Sequence, residues 1–367
     1  MNFDALPVLM YHSVKYQQKN SWIHKHLSLT LKEFYRHIRT IHLCGFKTFF
    51  MNDAYLHLKG EKKLPVNSLV LTFDDGYADN WMFAFPLMKK YNIKGTIWVN
   101  PEFVNNDDST LRPTLEDYWA GNITLEELNE YDGFLNWAEM NEMEKSGLVE
   151  IHSHTMTHTQ YPVSDEIIDF VSPKSRIDWL HWNLYPEQKP YFLSDNKSKL
   201  PLGYPVYKAD KAIVAKRVIE NGDLSNALVD FVSNSGGEKF FDKNNWKDTL
   251  NDFSKDFKKK HSGLYRIETK DEYLQRLKVE LLQSKLILEK NLNKKINHLC
   301  WPFGAWNEET LELAGKYGYD TTTAKGEKNI FGKRKYSRVD RIAWDNPKYQ
   351  TKLFYPYAIF KILRTKI

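Results

Sequence analysis

Two adjacent carboxylates, Asp74 and Asp75, end the run Leu69-Val70-Leu71-Thr72-Phe73-Asp74-Asp75-Gly76. The apolar, β-branched-rich residues before them read as a buried parallel strand that delivers side chains to the mouth of a site. Side chains alternate along an extended backbone, so both carboxylates can serve one cavity only where the strand ends. Gly76 permits that turn. Carboxylates this close resist joint ionisation unless a cation or hydrogen bonds divide their roles. These eight residues also fit a plain Asp-Asp-Gly turn.

Downstream, Leu148-Val149-Glu150-Ile151 reads as a short strand running into His152-Ser153-His154-Thr155-Met156-Thr157-His158. One helical turn there would bring His154 and His158 onto one face, as a shared metal requires. With Asp75 they would form an Asp-His-His set, one oxygen and two nitrogens, with positions left for water and substrate. Such a set suits a divalent metal, zinc foremost, with other transition metals also accommodated. Asp74, beside the ligand but not needed on the metal, could then take a proton from the bound water. His152 is read as facing the wall and is left out of the set.

The elements that must position these groups alternate strand and helix. Pro7–Tyr11 reads as a first buried strand ending at His12. Thr30 with Glu33 forms a capping box for a helix whose stripe is Leu31, Phe34, Ile38 and Ile41. A strand at Phe46–Phe50, the Asp74 strand, a helix through Trp81, Phe85 and Met88, and a strand at Gly95–Val99 follow. Asn136 with Glu139 opens a helix that Gly147 closes. The rhythm resumes with a long helix from Asp271 to about Leu292, a strand at Ile296–Trp301, a helix at Glu308–Tyr317 and a strand at Tyr319–Thr323. That alternation implies a parallel sheet or barrel. It breaks between residues 159 and 270, where six prolines, the aromatic cluster Trp179-Leu180-His181-Trp182 and helical patterns at Ala209–Glu220, Leu224–Ser233 and Trp246–Phe257 suggest an inserted subdomain. The chain therefore divides into 1–158, 159–270 and 271–367.

Composition narrows the class. The chain has 367 residues, 42% of them apolar, and no run approaches the ~20 apolar residues of a membrane span. Its net charge of +5 is spread out, so no nucleic-acid partner is expected. Two cysteines, Cys44 and Cys300, are too few for a disulfide framework. The opening residues lack the pattern of a secretory leader, and a cytoplasmic protein is expected. The aromatic and basic tail Leu353–Arg364 reads as a helix packed on the domain, with peripheral membrane association as the other reading.

Three segments, Thr72-Phe73-Asp74-Asp75-Gly76, Ser153-His154-Thr155-Met156-Thr157-His158 and Trp301-Pro302-Phe303-Gly304, occur in the order of the first three motifs of polysaccharide deacetylases. The chain resembles carbohydrate esterase family 4, the NodB-homology group. The resemblance implies an α/β fold, a distorted (β/α)7-type barrel, here with the large insert. It implies Asp74 as catalytic base, Asp75, His154 and His158 as metal ligands, and the Phe303 N–H as an oxyanion donor. The family's usual arginine position holds Cys300. Val8-Leu9-Met10-Tyr11-His12 matches the circularly permuted branch that includes poly-N-acetylglucosamine deacetylases, and there His12 is the acid. Arg341 is the candidate to replace the missing arginine; a surface salt bridge is its other reading. The implied activity is metal-dependent N-deacetylation of an amino sugar in a polysaccharide or glycan precursor. Competing readings are an amidase or deformylase of the same fold acting on a small or lipid-linked substrate, and a non-catalytic glycan-binding module.

Overall fold

The structure is a computed structural model that describes residues 6–17, 27–105, 110–193, 198–325 and 337–343. It separates into two compact units. The first comprises Met1–Thr157, Pro190–Asp195 and Val279–Ile367; the second comprises His158–Lys189 and Asn196–Lys278.

The first unit is built on parallel strands β1 (Val8–Tyr11), β2 (Lys47–Phe49), β3 (Ser68–Phe73), β4 (Gly95–Val99), β5 (Val149–Ser153), β6 (His298–Cys300), β7 (Thr321–Lys325) and β8 (Ser337–Ala343). From β1 the order runs β8, β7, β6, β5, β4, β3, and β3 pairs back with β1 from Val8↔Val70 to Tyr11↔Phe73. The ring closes as a seven-stranded (β/α) barrel, with β2 as an eighth strand beside it. Its distortion sits at β3, whose second edge pairs first with β2 (Thr48↔Leu69) and then with β4 (Thr72↔Thr96). Strands buried on both faces need apolar side chains throughout, and every residue of β3 is buried. Val8, Val70, Trp98 and Cys300 pack together with Met51 and Ala54 of the helix Met51–Leu58.

Helices cover the strands as their sequences dictate. Thr30 caps the helix Leu31–Leu43 in a capping box with Glu33, and Phe34, Ile38 and Ile41 are buried. Phe34 meets Tyr11 edge-on at 5.5 Å and Phe73 at 5.9 Å, joining this helix to β1 and β3. Each such side chain removed from water contributes about 1.5–3 kcal/mol. Asn136 and Glu139 cap the helix Trp137–Lys145, and the buried Glu139 also pairs with Arg112. The long connection after β4 holds two further capped turns, Leu115–Trp119 and Leu125–Leu128.

Two helical expectations outside the insert need correction. The helix after β3 begins as a π-helical turn, Asn80–Ala84, before Phe85–Tyr91. The helix expected from Asp271 to Leu292 is interrupted by a second π turn, Val279–Gln283, between Lys270–Lys278 and Ser284–Leu292. Each π turn inserts a residue into the ladder and re-aims a side chain.

The second unit is led by a long, bulged antiparallel pair, Gln160–Phe170 with Pro205–Lys211, and a short one, Val218–Glu220 with Tyr265–Ile267. Ala209–Glu220 is thus strand, turn and strand rather than helix; strand pairing to Gln160–Phe170 outweighs its helical pattern. The helices Asp223–Asn234 and Trp246–Lys260 do form, and they bury Leu224, Leu228, Val232 and Leu250 with Phe170 and Phe240. Among the described residues no helix is long and apolar enough to cross a membrane. The tail Leu353–Arg364 lies outside the described residues.

Candidate active site

Because the barrel strands are parallel, their C-terminal ends open on one face, where such folds place their chemistry. β1 delivers His12, β3 delivers Asp74 and Asp75, β5 delivers His154, and β6 leads to Phe303. The ladder runs one residue past two of these strands: the Asp74 N–H bonds the Tyr11 carbonyl and the His154 N–H bonds the Val99 carbonyl, each at 2.9 Å. Asp74 is therefore held as rigidly as the strand. The chain then reverses at Asp75 and Gly76, with φ of 70° and 69°. Asp75 itself adopts the left-handed conformation, at a cost of about 1–2 kcal/mol for a non-glycine residue.

The reversal sends the two carboxylates to different partners. Asp74, 4% exposed, receives Arg341 Nη1 on Oδ1 at 2.5 Å and Nη2 on Oδ2 at 2.8 Å. Arg341 comes from β8 and is buried; its Nη1 also donates to Thr72 Oγ1 at 3.1 Å, and its Nη2 lies 2.9 Å from Cys300 Sγ. His12 Nε2 stands 3.7 Å from Asp74 Oδ2. Burial works to raise the Asp74 pKa, but the Arg341 charge and its hydrogen bonds, with His12 and His154, bring it below the usual carboxylate value.

Asp75 turns to the histidines. Its Oδ1 lies 3.3 Å from His154 Nε2, and one ligand atom each from Asp75, His154 and His158 fall within 4.8 Å of one another. His154 Nδ1 makes a 2.9 Å bond to the Cys300 carbonyl, so that nitrogen carries the proton and Nε2 faces Asp75. An imidazole oriented by a backbone carbonyl is the usual support of a metal ligand, and the donor set fits a divalent transition ion. Asp74, His154 and Cys300 also cluster within 4.8 Å, but Arg341 lies against both Asp74 and Cys300 and its charge disfavours a cation there.

The two histidines meet by a different route from the one expected. The segment after β5 is not helical; Thr155 and His158 have φ of 64° and 47°, and these two left-handed residues fold the chain back so that both rings reach Asp75. His152 points elsewhere, with its ring 4.6 Å from that of His298 and its Nε2 3.6 Å from Glu150. Phe303 follows β6 at φ 55° in the turn Pro302–Gly304, and its ring is half exposed.

Several supporting residues carried no signal in the sequence. Asp79 accepts from Ser13 Oγ at 2.6 Å and the Val14 N–H at 3.1 Å, and Asn80 Nδ2 donates to the His12 carbonyl at 2.9 Å. They fix the His12 carbonyl and the two residues that follow it. Asn100, at the end of β4, donates to the carbonyls of His154 and Thr155.

The family model described as polysaccharide deacetylase matches residues 61–199 and 259–322, more than half of the chain. The chain belongs to the polysaccharide deacetylase family. Asp74, Asp75, His154, His158 and Phe303 fall inside the matched residues, while His12 and Arg341 fall outside them. Among curated deacetylases it is similar to YxkH of Bacillus subtilis (strain 168), provisionally named a polysaccharide deacetylase. The two are 33% identical over 121 residues, which span 33% of this chain and 41% of that relative's length. Among solved structures, a de-N-acetylase from Aggregatibacter actinomycetemcomitans aligns over 98% of this chain and 99% of its own, with TM-score 0.57 and 22% identity. IcaB from Ammonifex degensii aligns over 98% of both chains, with TM-score 0.50 and 15% identity. The Streptococcus pyogenes deacetylase PplD, solved with acetate, aligns over 92% of this chain and 91% of its own, with TM-score 0.50 and 15% identity. At these identities the deacetylase likeness is one of fold.

Proposed function

We propose that this protein is a metal-dependent N-deacetylase that hydrolyses the acetamide of an N-acetylated amino sugar within a polysaccharide or glycan precursor. The observation that carries the reading is the divergence of Asp74 and Asp75: one is forked by Arg341 beside His12, the other is grouped with two imidazoles. A module that only binds glycans needs neither a proton acceptor nor a proton donor in that arrangement.

Asp75, His154 and His158 would hold the ion, with zinc the best match to one oxygen and two nitrogens. When bound, the metal supplies Lewis-acid polarisation of the acetyl carbonyl and activation of the attacking water. Asp74, kept ionised and oriented by Arg341, takes the proton from that water. The Phe303 N–H donates to the oxyanion that develops on the carbonyl, an interaction worth about 3–4 kcal/mol when well placed. His12 hands a proton to the departing amine, and Asp79 and Asn80 hold the backbone that carries it.

Acetate release from N-acetylglucosamine oligomers, with and without a chelator, tests the reading. The expected result is release that the chelator abolishes and added zinc restores. Release of formate from N-formylated or lipid-linked sugars, with no acetate from the oligomers, would move the substrate to the competing class. Binding without release of either acid would leave a glycan-binding module.

A further inference from the structure

Glu280 lies in the second π turn, Val279–Gln283. Glu280 is 1% exposed, and its carboxylate reaches the loop between the two histidines. One oxygen, Oε2, accepts the backbone N–H groups of Met156 and Thr157, each at 3.1 Å; the other, Oε1, accepts the Thr157 hydroxyl. Met156 and Thr157 are the two residues bracketed by the left-handed Thr155 and His158. Two non-glycine residues in that conformation cost about 1–3 kcal/mol each and persist only where the surroundings over-determine them. Charge-assisted bonds from a buried carboxylate to backbone N–H groups are among the stronger restraints a protein can supply.

We propose that Glu280 is a positioning residue for the metal site: it fixes the left-handed loop that carries His154 and His158 to Asp75. Asn100 holds the first half of the loop through the carbonyls of His154 and Thr155, and Glu280 holds the second half through the following N–H groups. Without Glu280, two N–H donors lose their buried acceptor and the His158 backbone is free to leave the left-handed region. The metal would then meet two pre-placed ligands rather than three. Glu280 acts through the loop and not on ion or substrate, and its role rests on the Asp75-His154-His158 reading.

The test measures zinc affinity of the full chain by competition with a chromophoric chelator, alongside thermal melting of the zinc-free protein. Glu280→Gln keeps the size and one acceptor oxygen but loses the charge. Its zinc affinity is expected to fall about 10–100-fold, the range typical of residues that support metal ligands. Thr157→Val, which removes only the hydroxyl bond, is expected to lose a smaller part in the same direction and serves if Glu280→Gln does not fold. Glu139→Gln is the control, a carboxylate equally buried in the same unit but tied to Arg112 and a helix cap. It should lower the melting temperature and leave zinc affinity unchanged. Zinc affinity within about twofold of the parent in both Glu280→Gln and Thr157→Val, or an equal loss in Glu139→Gln, would overturn the proposal. Failure of the parent chain to bind zinc at all would instead overturn the metal-site reading beneath it.

Discussion

Arg341 and Asp74 face each other through two parallel hydrogen bonds, Nη1 to Oδ1 at 2.5 Å and Nη2 to Oδ2 at 2.8 Å. The charge reaches the carboxylate from β8, while β6 contributes the small uncharged Cys300 beside it, whose Sγ lies 2.9 Å from Nη2. A guanidinium fork fixes both the ionisation and the plane of a carboxylate, which a lysine at the same point cannot do.

Arg341→Lys should therefore keep a positive charge but lose the plane, and kcat/KM for acetate release should fall about 10²-fold, the lower end of what a positioned base contributes. Arg341→Met should also move the acid limb of the pH–kcat/KM profile upward. Arg341 lowers the Asp74 pKa against burial, so its removal raises the pH at which the base becomes available. A profile of unchanged position would show that Asp74 is not the group titrating there.

Asp79 predicts a pH dependence of stability rather than of rate. Burial pushes its carboxyl up from 3.8 to about 6, against the pull of Lys15 and the hydrogen bonds from Ser13 and Val14. A folded pKa above the unfolded one means that the native state binds the extra proton. The stability tied to that proton is fully present below about pH 4 and is lost as pH rises through 6. The displacement corresponds to about 3 kcal/mol. Asp79→Asn, which cannot ionise, should gain on the parent by up to that amount between pH 4 and pH 7 in urea unfolding. A gap that stays flat with pH contradicts the assignment.

Much of the barrel could be read from the sequence because its signals are local. The run ending at Asp74, the boxes Thr30/Glu33 and Asn136/Glu139, and the short strand before His152 each state their own conformation. The geometry that gathers the candidate residues was not readable in the same way. Asp75, Thr155 and His158 adopt left-handed backbone without being glycine, which no neighbour in sequence announces. The π turns are equally silent, since Asn80 and Glu280 sit within ordinary helical patterns and show their purpose only through contacts with residues 68 and more than 120 positions away. In the insert, strand partners supplied from Gln160–Phe170 overrode a helical pattern at Ala209–Glu220.

Within that insert, Gly203 offers a stability test independent of the chemistry. Its φ is +85°, and a Cβ there would stand 2.6 Å from Val232 Cγ2 and 3.0 Å from the Leu228 carbonyl oxygen. Gly203→Ala combines left-handed strain of about 1–2 kcal/mol with overpacking of about 1–3 kcal/mol. A loss of about 2–5 kcal/mol is expected in chemical denaturation of the full chain. A change below about 0.5 kcal/mol would contradict this packing, as that is the scale of ordinary surface substitutions.

On the proposed metal site, His158→Ala should lower zinc occupancy after dialysis while leaving the fold intact by circular dichroism. Full occupancy in that variant would remove His158 from the ligand set.

The claim on which all of this turns is that adjacent carboxylates divide the work, and Asp74→Asn and Asp75→Asn, purified in parallel, test it most directly. Metal content and acetate release are measured on both. Asp74→Asn is expected to keep its metal and lose turnover by about 10²-fold or more, the contribution of a general base, while Asp75→Asn loses metal and turnover together. Acetate release unchanged in Asp74→Asn, or metal retained in full by Asp75→Asn, would contradict it.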